Sequence, residues 1–152
     1  MTASAFDSRF LDSLPPGVHL GTDVVSISRI QKLIEEFGDS FLSRAFTRAE
    51  REYSSSQGHP AEHYASRWAA KEAFFKTCSE PTPGVPFDSI EVRKDEGIPS
   101  LCLSGPAATA ARRIIGHTDG EPATAISLSH DRKSDHAIAV VAIFESSTNS
   151  SP

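Results

Sequence analysis

The chain is short of cysteine: among 152 residues there are two, Cys78 and Cys102. Two are too few for a disulfide framework, and their spacing matches no zinc or redox motif. They are expected as buried thiols in a reducing compartment. No apolar run approaches the ~18 residues of a membrane span. The opening "MTASAFDSRFLDSLPPG" has no basic segment followed by an apolar one, so it does not read as a secretory signal. The expected location is cytoplasmic. An excess of positive charge is also missing: the net charge is −5 and the pI about 5.6. That argues against broad nucleic-acid binding, which needs a basic footprint, while leaving room for local basic patches. No internal repeat is visible.

What is present suits one globular domain. Residues 1–17 read as a flexible polar arm ending in Pro15-Pro16-Gly17, residues 18–145 as the domain, and residues 146–152 ("SSTNSSP") as a disordered tail. "VHLGTDVVSI" is rich in β-branched residues and predicts a strand. "SRIQKLIEEFG" sets Ile30, Leu33, Ile34 and Phe37 at helical spacing before Gly38. Thr47 with Glu50 three residues on is a capping-box pattern. Pro60 starts a long helix that should run to about Cys78, followed by the loop "PTPGVP". "FDSIEVRK" and "SLCLS" predict a hairpin turning near Gly97 and Pro99. "GPAATAARRIIG" predicts a short helix, and "TAISLSH" and "HAIAVVAIFE" two last strands. The final strand is apolar on both faces and should be central. The order β-α-α-α-β-β-α-β-β predicts an α+β fold: a largely antiparallel sheet packed with helices, one of them long and central.

The long helix raises the functional question. In "SRWAAKEAFFKTC", Trp68, Glu72 and Lys76 share one row and Arg67, Lys71 and Phe75 the next. A surface Glu72–Lys76 pair, worth ~0.3–0.5 kcal/mol, would explain the charges. So would a carboxylate held beside apolar packing to bind a cation, with the flanking bases receiving an anionic ligand. Asp23, in the first strand, is a second acid of the kind a Mg²⁺ site uses; on pattern alone it reads equally well as a strand acid facing solvent.

Five segments in order narrow the choice. "GTDVVSISRI", "FLSRAFTRAE", "RWAAKEAFFK", "FDSIEVRKDEGIPSLCLSG" and "ISLSHDRKSDHAIAVVAI" together resemble the holo-acyl-carrier-protein synthases of the phosphopantetheinyl transferase superfamily, from about Leu20 to Phe144. The resemblance implies that Asp23 and Glu72 are magnesium ligands and that Lys76 approaches the coenzyme A phosphates. Arg67, Lys71 and His130 match positions of the coenzyme A site, and Arg29 and Arg44 match positions that dock the acidic carrier protein. Alone, His130 would read as a strand-end histidine, and Arg29, Lys32, Arg44, Arg48 and Arg51 as a solvated basic face. The family usually has a glycine soon after the Lys-Glu helix; here the first is Gly84.

The implied reaction is transfer of 4′-phosphopantetheine from coenzyme A to a serine of apo acyl carrier protein, or of a carrier domain, releasing 3′,5′-ADP for fatty acid biosynthesis. A metal-activated water, Glu72 acting through one, or Lys71 would take the serine proton. The single set of motifs implies a homotrimer with interfacial sites, Asp23 and Glu72 from one subunit and His130 from its neighbour. Two rivals share these residues: a non-catalytic coenzyme A or carrier-domain binding module, and a metal-dependent phosphohydrolase.

Overall fold

The structure, a computed structural model, describes residues 17–78, 81–116 and 120–146. The expected arm and tail fall outside them, apart from Gly17 and Ser146. Chain order is β1 (His19–Ser26), α1 (Ile27–Phe37), α2 (Asp39–Ala45), α3 (Arg48–Ser55), α4 (Pro60–Lys76), a 3₁₀ turn (Phe87–Ser89), β2 (Ile90–Asp95), β3 (Ile98–Leu103), α5 (Gly105–Ile115), β4 (Pro122–Asp131) and β5 (His136–Glu145). The fold is α+β, as expected, with four helices rather than three between β1 and β2. The added one, α2, follows α1 across Gly38, whose φ of 50° turns the chain sharply. The expected single sheet is two: an antiparallel sheet ordered β1-β5-β4 and the separate β2-β3 hairpin. β5 is central in the first. The hairpin turns at Glu96-Gly97, both with positive φ, so Pro99 sits inside β3 opposite Lys94.

α4 lies on the inner face of the three-stranded sheet, against β1 and β5. Eleven of its 17 residues are buried, so it is enclosed on most sides. Small residues make this approach close: Ala65, Ala69 and Ala73 on the helix and Ala137 and Ala139 on β5 are all fully buried. Gly21 of β1 is the tightest point. A Cβ there would collide with the Ala73 carbonyl and sit 2.9 Å from the Thr77 amide. Phe46, Phe74, Ile30 and Ile90 fill the spaces around the helix, each contributing about 1.5–3 kcal/mol by leaving water.

The outer face of the same sheet is open and apolar: Val24, Ile138 and Val140 are 55%, 41% and 40% exposed. β5 is therefore apolar on both faces, but only one is covered by the described residues. No helix among the described residues is long and apolar enough to cross a membrane.

Two polar devices fix the helices. Ser26 Oγ caps α1 by accepting from the Arg29 amide, and Asp135, from the β4–β5 turn, accepts from the Ser28 amide at 2.8 Å and from the Ser26 and Ser28 hydroxyls at 2.6 and 2.7 Å. Those donors hold the Asp135 carboxyl below the usual carboxylate range. Thr47 and Glu50 form the predicted capping box at α3. Glu50 does more, however. Fully buried, it also accepts from the Val92 amide at 2.8 Å and from Lys71 Nζ at 2.7 Å.

Candidate active site

Strand alternation puts Gly21, Asp23 and Val25 on the face of β1 that meets α4. With no side chain at Gly21, β1 lies against Ala73, and Asp23 reaches the C-terminal half of the helix. There Lys76 Nζ is 2.7 Å from Asp23 Oδ1. Glu72 lies one turn before Lys76 and is half-buried. Burial first, and then the negative charge of Asp23, push its carboxyl above the usual range, while Lys76 and Arg29 pull it back. Asp23, Glu72, Lys76 and Arg29 thus share one electrostatic neighbourhood, built from β1, the first turn of α1 and the last turns of α4.

The donor set suits a hard cation. Two carboxylates converge, and among the described residues no group of three or more His, Cys, Asp or Glu could ligate a metal by itself. That excludes a closed zinc-type cage there. It fits Mg²⁺, which takes one or two carboxylates and completes its shell with water and substrate phosphate.

The adjoining helical row behaves differently. Lys71 is fully buried, and its Nζ donates to Ala45 O at 2.7 Å, Glu50 Oε2 at 2.7 Å and Phe87 O at 3.0 Å. An ammonium has three protons, and all three are committed. The expectation that Lys71 lines the coenzyme A site or takes the serine proton is corrected on that ground: it ties α2, α3 and the 3₁₀ turn to α4. Its burial lowers its proton affinity and Glu50 opposes that effect.

Arg67 and His130 meet in a second place, toward the start of α4. The Arg67 guanidinium lies 4.3 Å over the Tyr53 ring, and Nη1 donates to His63 O at 3.2 Å. Its Nε is buried with no partner. Together with His63, Ser66, Lys94 and His130 it lines a cavity of about 180 Å³. Burial, followed by the charges of His130 and Arg67, holds His63 below the usual histidine value. Arg67 and Lys76 are nine residues apart, about 13 Å of helix rise. Within one chain, the carboxylate cluster and this basic cavity lie apart.

A third region is apolar. Leu33, Phe37, Phe41, Trp68 and Phe87 line a groove of about 360 Å³, with Arg44 on its wall. Phe37 is half exposed beside it. A fourth cavity, about 660 Å³, opens between segment 81–85 and α5, next to Cys78 and just past the end of α4.

Sequence reasoning missed Gly21, Glu62, Tyr53, His63 and Lys94 as contributors. Gly21 carried a signal, standing two residues before Asp23 on the same strand face. The others come together only through tertiary packing.

A family model described as the 4′-phosphopantetheinyl transferase superfamily matches residues 19–141. A holo-[acyl-carrier-protein] synthase of Gloeobacter violaceus is 40% identical over 126 residues, 82% of this chain and 90% of that protein. One from Syntrophus aciditrophicus is 37% identical over 123 residues, 80% and 92% of the two chains. Among solved structures, an ACPS–CoA complex of Chronobacterium ammoniagenes superposes with a TM-score of 0.70 at 32% identity, covering 85% of this chain and 98% of that one. The Neisseria meningitidis holo-[acyl-carrier-protein] synthase gives 0.69 at 32% identity, covering 84% and 98%.

Proposed function

The chain belongs to the 4′-phosphopantetheinyl transferase superfamily, and from that premise we propose that it transfers 4′-phosphopantetheine from coenzyme A to a serine of apo acyl carrier protein, with Mg²⁺ as cofactor, releasing 3′,5′-ADP. The carrying observation is the half-buried carboxylate pair Asp23–Glu72, braced by Lys76 and Arg29. In the reaction the serine oxygen forms a bond to the β-phosphorus of coenzyme A. The bond from that phosphorus to the bridging oxygen breaks, 3′,5′-ADP leaves, and the serine proton passes to a base.

Asp23 and Glu72 would hold the metal, which when bound would neutralise negative charge on the pyrophosphate. Lys76 Nζ is half exposed and can turn from Asp23 to a phosphate oxygen, stabilising charge on the leaving group. Glu72 acting through a water, or a water activated by the metal, would receive the serine proton. Arg67 and His130 receive the far, phosphate-bearing end of coenzyme A in the basic cavity. We assign the cavity beside Cys78, with Val85 and Ile114 in its lining, to the pantetheine arm.

Two features support a homotrimer with interfacial sites: the carboxylate cluster and the basic cavity lie apart in one chain, and the outer sheet face is apolar and not covered by the described residues. A neighbour's Arg67 and His130 would complete the site begun by Asp23 and Glu72. The groove with Arg44, together with Arg29 on α1, suits a helix of an acidic carrier protein: apolar side chains enter the groove and carboxylates meet the arginines. Cys78 and Cys102 are free thiols, in keeping with a cytoplasmic role in fatty acid biosynthesis.

The test is a mass-shift assay on apo carrier protein with coenzyme A and Mg²⁺. The expected result is a gain of one phosphopantetheine arm, reduced at least about a hundredfold by Glu72→Gln or Asp23→Asn. Near-normal transfer by both variants would sink the metal assignment. Release of 3′,5′-ADP without carrier protein would identify a phosphohydrolase, and coenzyme A binding without transfer a binding module.

A further inference from the structure

Glu62 is an acid that the proposed chemistry leaves unused. It lies in the first turn of α4 and is 8% exposed. An acid there ordinarily complements the helix N-terminus from solvent. This one is turned instead toward β4, where Oε2 lies 3.3 Å from His130 Nε2 and Oε1 lies 3.2 Å from Arg132 Nε. Burying a carboxylate is costly unless cations or donors face it, and here one partner is at the end of β4 and the other in the turn that follows. Oε1 has no hydrogen bond besides its ionic contact with Arg132.

Ser66, one turn further on, holds the other side of the same ring. Its hydroxyl donates to the Glu62 carbonyl at 2.9 Å, which leaves its oxygen as an acceptor 3.3 Å from His130 Nδ1. Both nitrogens of His130 therefore face oxygens from α4. The ring also meets the His63 ring edge to face, with centroids 5.6 Å apart. His130 itself is on an exposed strand end, so nothing in β4 alone would fix its side chain. The same ring lines the cavity that holds Arg67 and Lys94.

We propose that Glu62 and Ser66 are a positioning pair that sets the orientation of His130, and through it the affinity for coenzyme A; this rests on the transferase reading and on the place given there to His130. Glu62 also holds Arg132 by its second oxygen. Glu62→Gln separates the two duties, because an amide has one accepting oxygen and can serve only one of two donors.

The experiment is a double-mutant cycle on the full chain, read by calorimetric titration with coenzyme A alone and by steady-state transfer to apo carrier protein. Glu62→Gln is expected to raise both the Kd and the KM for coenzyme A about tenfold, with kcat within about twofold. The double variant Glu62→Gln/His130→Ala should bind no more weakly than His130→Ala, because a residue that acts through His130 has nothing left to act on. A purely structural role would give losses that multiply. Multiplying losses, unchanged binding in folded Glu62→Gln, or unchanged binding in His130→Ala would each overturn the proposal. Should Glu62→Gln not fold, Ser66→Ala in the same cycle decides, with an expected loss of about threefold. Failure of the transferase reading shows separately, as no mass gain on carrier protein with the unaltered chain.

Discussion

Helix α4 carries two lysines five residues apart, each 2.7 Å from a carboxylate oxygen, and the two pairs do opposite things. Lys71 and Glu50 are 0% exposed, with further hydrogen bonds to Ala45, Phe87, Val92 and Thr47. Lys76 and Asp23 are 53% and 15% exposed, and among the described residues the Lys76 ammonium hydrogen-bonds only Asp23. Equal contact distances thus say nothing about role. The first pair is sealed, cannot exchange partners and serves as a brace. The second is wet and loosely held, and so is free to trade its partner for a ligand. Five residues turn a helix by about 140°, enough to move a lysine from the inside of the molecule to its working surface.

The sharpest way to break this comparison is to remove each ammonium in turn. Lys71→Met leaves Glu50 buried without its cation and should cost about 3–5 kcal/mol in urea unfolding, with the double variant Lys71→Met/Glu50→Gln recovering part of the loss. A cost below about 1 kcal/mol would show that the clasp is not a brace. Lys76→Met should change stability by less than about 1 kcal/mol, as expected of a half-exposed pair, while lowering transfer about a hundredfold. If instead both lysines affected unfolding alike, exposure would not be what separates them. The smallest effect concerns Asp135, whose folded carboxyl is held below its usual value by three donors. Its contribution to stability is complete above the unfolded value, about pH 4, and is lost as pH falls through the lower folded value. Asp135→Asn should therefore lower the melting temperature at neutral pH, and the gap to the unaltered chain should close as the pH falls below the folded value.

Much of the fold was legible because it rests on local period. The capping box at Thr47, the stop at Gly38, the proline start of α4 and the central place of β5 follow from neighbours in sequence. α2 was not legible: seven residues give too few turns for a period to show. Nor was the split into two sheets, since which hairpin joins which sheet is a long-range matter. Asp23, Glu72 and Lys76, singled out in the sequence, lie together in the structure. Lys71 was misread because it sits beside Glu72 in sequence, while its true partner, Glu50, is 21 residues away and looked fully occupied as a cap. Glu62 gives no local signal for a similar reason: its partners are His130, at the end of the penultimate strand, and Arg132, in the turn after it.

Gly21 has a consequence that reaches beyond packing. It has no functional group, yet the Cβ it lacks would overlap the Ala73 carbonyl. The gap between β1 and α4 is set at that point, and Asp23 and Glu72 sit on either side of it one step further along. A residue with no chemistry of its own therefore acts as the shim that calibrates the spacing of two that have it. Any side chain at position 21 would wedge β1 and α4 apart and widen the spacing of Asp23 and Glu72 without altering either residue.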